Sequence, residues 1–141
     1  MNQPETREDK VVTYHNLMKP QLMQALKKQI QGKLVVKKKY RDHNYTARQL
    51  AADLNTNVHY ISAAIRLHFH TNFTSFVNQL RIKEAMMLMN DPRYETRSIE
   101  EIGDIVGFIH RQTFHAVFLK HTGMTPKAYR MQQSLSTQEE T

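Results

Sequence analysis

The chain has 141 residues, with 20 Lys and Arg against 13 Asp and Glu, giving a formal charge of +7 at pH 7 and an isoelectric point near 9.7. Forty per cent apolar residues is too many for a disordered tail, and the absence of cysteine excludes a disulfide framework, a zinc knuckle and a thiol nucleophile. No apolar run approaches the roughly 20 residues of a membrane span, and no apolar stretch follows a basic start, so a cytoplasmic location is expected.

With only 4 Gly and 4 Pro, an all-α fold is expected. Residues 1–19 are polar and unpatterned and are expected to be mobile. Pro20 opens a helix on which Leu22, Leu26 and Ile30 repeat until Gly32 stops it. Thr46 caps a second helix with Ala47, Leu50, Ala51 and Leu54 on one face. Asn55-Thr56-Asn57 forms a turn, and Val58, Ile61, Ala64 and Ile65 mark a third helix. A longer helix runs from about Phe73 to Asn90, where Asp91-Pro92 closes it; Phe73, Val77, Leu80, Ala85 and Leu88 lie near one side.

The next stretch repeats this plan. Ser98 caps a helix with Ile99, Ile102, Gly103 and Val106 inward, Gly107 turns the chain, and a helix with Phe114, Val117 and Phe118 inward follows. Gly123 ends it, and Thr125-Pro126 opens a short last helix through Tyr129, leaving 134–141 as a mobile tail. Thr46 and Ser98 stand 52 residues apart and Ser62 and His115 stand 53 apart, so the second turn is one residue longer. The chain thus contains a duplicated helix–turn–helix, in units of about 46–72 and 98–123.

Two helices crossing steeply over a short turn need a small residue where they touch, which Ala51 and Gly103 supply, and a turn residue tolerant of positive φ, which Asn55 and Gly107 supply. The outer faces then carry His59, Ser62, Ala63 and Arg66 in the first unit, and Arg111, Gln112, His115 and Ala116 in the second. A joining helix of some 18 residues spans about 27 Å. Successive major-groove segments on one face of B-DNA are about 34 Å apart, so one chain can present both second helices to a duplex. The basic excess is concentrated elsewhere. Residues 20–44 hold seven cations and one acid, mostly Lys33, Lys37, Lys38, Lys39 and Arg41, a cluster suited to phosphate rather than to bases.

Residues from about Leu22 to Gln132 resemble the DNA-binding domain of AraC/XylS-type bacterial transcription regulators. The resemblance is carried by SIEEIGDIVGF at 98–108 and QTFHAVFLKHTGMTPKAYR at 112–130, and by Leu80-Arg81-Ile82 with Ala85. LNTNVHYISAAI at 54–65 is similar to a variant common in Bacteroidetes regulators. The resemblance implies a domain over 20–133 with seven helices, two helix–turn–helix units and a long linker helix. Its expected partners are double-stranded DNA and RNA polymerase, with a sensor domain or effector outside this chain.

By the same correspondence, Arg111 and Gln112 open the second recognition helix, where arginine can grip guanine and glutamine adenine through two bonds each. His115, His59 and Ser62 are further base contacts, and Arg66 meets phosphate. Tyr60 and Thr113 either pack or donate to backbone oxygens; Lys120 either contacts phosphate or ends the helix in solvent. Four positions depart from the family pattern. Ile109 replaces a Ser cap, His70 replaces a common Gly, and Ala63 and Ala116 stand where long side chains are frequent. Phe73, Phe76, Phe114 and Phe118 are expected in the core, Met86, Met87 and Met89 in adaptable packing, and Arg81 in a pairing within the domain.

No cofactor is expected. His68 and His70 lie two apart on a helix, pointing away from each other, and no carboxylate cluster accompanies them, so a metal site is not expected. No catalytic constellation is evident, and the chain is not expected to be an enzyme. A protein-interaction module that kept this fold and lost base readout is the competing class, supported by the two alanines and by Ile109.

Overall fold

The computed structural model describes residues 20–139, which form seven α-helices and no strand. They are α1 (Pro20–Gln31), α2 (Ala47–Asp53), α3 (Val58–Phe69), α4 (Phe73–Met89), α5 (Ile99–Val106), α6 (Arg111–Thr122) and α7 (Pro126–Glu139). Residues 1–19, expected to be mobile, lie outside the described residues. Two units divide the chain: one runs up to Lys38 and resumes over Tyr45–Phe76, and the other takes Lys39–Asn44 and everything from Val77 onward.

In the first unit, Met23, Leu26 and Ile30 bury one stripe of α1, spaced three and four apart. Gly32 does not stop this helix. The chain continues as a π turn over Gly32–Val36, with the Lys37 amide donating to the Gly32 carbonyl at 3.0 Å. The wider turn seats Leu34 in the core and leaves Val35 and Val36 outside, so tertiary burial overrides the local stop signal. Lys38 then reverses the chain at φ 54°. Leu50 and Ala51 of α2 pack with Ile61, Ala64 and Ile65 of α3, while the Tyr45 hydroxyl donates to Asp53. Phe76 is buried and stacks on Phe69 at 4.4 Å, whereas Phe73 is only half-buried.

In the second unit, Ile82, Ala85, Leu88 and Met89 of α4 form a core with Ile102 and Val106 of α5. An aromatic chain extends it: Phe108 to Phe114 at 5.1 Å, Phe114 to Phe118 at 5.8 Å, and Phe118 to Tyr129 at 5.6 Å. Met87 is not a packing residue; it is 68% exposed, on the outward side of α4 between Met86 and Leu88. The last helix runs to Glu139 rather than ending near Tyr129, so much of the segment expected as a tail is helical.

The segment 39–44 is fastened into this unit by two arginines. Arg41 grips the buried carboxylate of Glu84 through Nε at 2.6 Å and Nη2 at 2.7 Å. Arg81 donates Nε to the Tyr40 carbonyl at 2.7 Å and Nη2 to the Asp42 carbonyl at 3.4 Å, which makes it the internal pairing residue expected. Burial, then the Glu84 carboxylate, pushes the Tyr40 phenol up to about 12.

The duplication is visible bond by bond. In each unit the first helix starts from a capping hydroxyl, Thr46 accepting from the Gln49 amide and Ser98 from the Glu101 amide. Each ends in a Schellman turn around a left-handed residue, Asn55 at φ 55° or Gly107 at φ 113°. The paired bonds are Thr56 N–H to Ala51 O with Asn55 N–H to Ala52 O, and Phe108 N–H to Gly103 O with Gly107 N–H to Asp104 O. All these positions correspond at an offset of 52. The second helices, α3 and α6, end on left-handed His70 and Gly123, whose amides bond back to Arg66 and Leu119, at an offset of 53.

The caps of the second helices differ. Asn57 caps α3 by accepting from the Tyr60 amide at 3.0 Å. The cap position of α6 is His110, not Ile109, and its side chain makes no capping bond. Asn57→Ala is expected to cost about 1 kcal/mol, and His110→Ser to add a similar amount, in urea unfolding. A Cβ on Gly107 would lie 2.5 Å from the Tyr40 carbonyl oxygen, whereas one on Gly123 would meet open space. Gly107→Ala is therefore expected to lower unfolding free energy by about 2–4 kcal/mol, and Gly123→Ala by about 1–2 kcal/mol.

Candidate nucleic-acid interface

The second helix of each unit has one buried side, which dictates what the other presents. On α3, Ile61, Ala64 and Ile65 are fully buried. One helical step away, His59, Ser62 and Arg66 are exposed along a stripe, with Ala63 half-buried beside them. On α6, Phe114 and Phe118 are buried, and Gly103 of α5 makes room for the first of them. A Cβ there would stand 2.7 Å from the Phe114 ring. Arg111, Gln112, Thr113, Ala116 and Lys120 are then all exposed. Thr113 is thus exposed rather than packed, while Tyr60 of α3 is half-buried.

His115 sits differently from its neighbours. It is half-buried, its ring stands edge-on to Phe114 with centroids 6.0 Å apart, and its Nε2 is buried without a hydrogen-bond partner. In this rotamer only Nδ1 remains to meet a ligand.

Because α6 lacks a side-chain cap, its first turn carries amide groups with no intrahelical acceptor, the first helical bond being Phe114 N–H to His110 O. Such a turn attracts anions through its amides and the helix dipole. A carboxylate already stands beside it. Arg111 Nε lies 3.1 Å from Glu100 Oε1, on the first turn of α5. The same two helices enclose a cleft of about 110 Å³ lined by Glu100, Asp104, Ile109, His110 and Arg111, among others.

The lysine-rich run is partly structural. Tyr40 is buried and Arg41 is committed to Glu84, so the cations of 33–41 do not form a uniform solvent-facing patch. Among the described residues, no three His, Cys, Asp or Glu side chains gather to hold a metal ion. No described helix is long and apolar enough to cross a membrane.

Sequence reasoning missed Glu100 as a neighbour of Arg111, because an acid in a first turn already has a sufficient role with the helix dipole. It also missed Asn57 as the cap of α3, although an Asn immediately before an apolar-periodic run carries that signal.

Comparison with known proteins agrees with this geometry. A family model described as a helix-turn-helix domain matches residues 50–132, more than half of the chain. Over 60 residues the chain is 35% identical to the HTH-type transcriptional activator CfaD of Escherichia coli, covering 43% of this chain and 22% of that protein. It thus spans about a fifth of that curated relative. The C-terminal domain of the two-component response regulator yesN from Fusobacterium nucleatum superposes with a TM-score of 0.59 at 28% identity, over 74% of this chain and 96% of that one. A DNA-binding transcriptional dual regulator from Escherichia coli K-12 shares the fold, with a TM-score of 0.65 at 18% identity over 78% and 93% of the two chains. Matched through both of its units and the helix that joins them in sequence, the chain belongs to the AraC/XylS-type helix–turn–helix family.

Proposed function

We propose that this domain binds double-stranded DNA sequence-specifically to regulate transcription, with α3 and α6 entering successive major-groove segments. The observation that carries the reading is the duplicated unit itself: two recognition helices, each buried on one side and lined on the other by residues suited to base edges and phosphates. Arg111 and Gln112, exposed at the start of α6, are assigned to guanine and adenine edges. His59, Ser62 and His115 join them as base contacts, His115 through Nδ1. Arg66, Lys120 and Thr113 are assigned to phosphate oxygens, while Ala63 and Ala116 give close, apolar approach to the groove. The relatives named as transcriptional regulators support the regulatory role. In a regulator built on this domain, RNA polymerase is the partner that regulation requires, and effector sensing falls to residues other than those of the two units.

Fluorescence anisotropy on a duplex selected from a random pool tests the assignment. Arg111→Ala and Gln112→Ala are expected to weaken the selected site by about 1–3 kcal/mol each while changing random duplex little. Equal losses on both duplexes would remove the base-readout role from these residues. Binding to either duplex should fall steeply as salt rises. Absence of any salt-dependent binding would favour the competing interaction module, for which the exposed Ile109 and Leu119 on and beside α6 supply apolar surface.

A further inference from the structure

Arg111 is an exposed candidate for reading a base, yet it is not left to itself. Its Nε stands 3.1 Å from Glu100 Oε1, with the two side chains 69% and 44% exposed. An ion pair this open contributes little to stability. Its consequence for recognition is larger. A guanidinium has three nitrogens in one plane, and the Glu100 carboxylate lies against its Nε edge, which leaves both terminal nitrogens for another ligand. Two parallel N–H groups are what the O6 and N7 atoms of guanine accept. We infer that Glu100 is a specificity-determining positioning residue, holding Arg111 for a base edge and away from phosphate; this rests on the DNA-reading function proposed above.

Glu100 also acts electrostatically. An unpaired arginine on a DNA-facing helix is drawn to the nearest phosphate, whatever the sequence. Glu100 cancels the charge of Arg111 at short range, and Asp104, lining the same cleft, adds a second carboxylate against a phosphate there. The paired arginine therefore gains less from backbone and more from a base pattern that satisfies two donors.

The structure supplies an internal control. Glu101 lies on the same turn of α5 and bears the same charge, but its partner is Arg97 at 3.1 Å, not Arg111. In anisotropy titrations of the 141-residue chain, the selected duplex and its single-base-pair variants are compared, and Arg111→Ala identifies the base pair that Arg111 reads. Glu100→Gln is expected to reduce preference at that pair about five- to tenfold, and Glu101→Gln to leave it within about twofold, although both add the same net charge. Glu100→Asp, which keeps the charge but shortens the reach, should lose part of the preference. In an Arg111→Ala background, Glu100→Gln should no longer alter it. Thermal melts of each variant separate these effects from unfolding.

If Glu100→Gln and Glu101→Gln instead raise affinity for every duplex by the same factor, with preference unchanged, Glu100 is a surface charge and the inference fails. A wild-type protein that binds all duplexes alike, or none, overturns the DNA-reading function as well, and does so before any Glu100 variant is measured.

Discussion

The steep turn at Gly107 is the constraint on which the second unit rests. At φ 113° the backbone passes so close to the 39–44 segment that a single added carbon would stand 2.5 Å from the Tyr40 carbonyl oxygen and 2.9 Å from both the Arg41 carbonyl oxygen and Arg81 Nε. That closeness is what lets Arg81 reach the Tyr40 carbonyl and keeps Arg41 on Glu84, a carboxylate only 5% exposed. A buried carboxylate without its guanidinium would be strongly destabilising, so the missing side chain at 107 and the bidentate pair depend on each other. Asn55, at the corresponding place in the first unit, is exposed and has room for a side chain.

The turn also sets the functional face. A Schellman turn fixes the direction in which the chain leaves the first helix, and the residues after it then have no freedom of register: Phe114 and Phe118 must enter the core. Gly103 allows Phe114 to approach as closely as it does. With those two rings inward, the 100° step between residues leaves Gln112, Ala116 and Lys120 outward, whereas Arg111, on the side of the rings, is exposed because it stands in the first turn beyond them. The recognition face is thus a consequence of core packing, and substitutions along it are free of the packing that fixes it.

The duplication was legible in the amino-acid sequence because each of its landmarks has few physical alternatives. A hydroxyl before an apolar period, a left-handed residue after it and a small residue at the crossing recur at offsets of 52 and 53, and the backbone bonds follow them. What was not legible depends on neighbours distant in the chain. Gly32 signals a stop, but burial of Leu34 draws the chain onward through a π turn. The extension of α7 to Glu139 has no buried stripe to announce it, since Met131 and Leu135 are exposed. The Arg111–Glu100 pair arises from how α5 and α6 cross, which no spacing rule encodes.

The same distinction reorganises the meaning of the net charge. Most described arginines have partners within the fold: Arg41 binds Glu84, Arg81 binds two carbonyls, Arg93 binds Asp91, Arg97 binds Glu101 and Arg130 donates to the Tyr94 carbonyl. The planar fork suits such fixed acceptors, whereas the lysines clustered in 27–39 carry point charge with little directional demand. A basic total then measures general attraction to a polyanion, supplied mainly by lysine. In the proposed reading, discrimination between sequences is a separate property, concentrated in a few directional groups, among them Arg111 with its neighbouring Glu100 carboxylate. The two properties therefore reside in different residues and respond to different substitutions, and salt acts chiefly on the first.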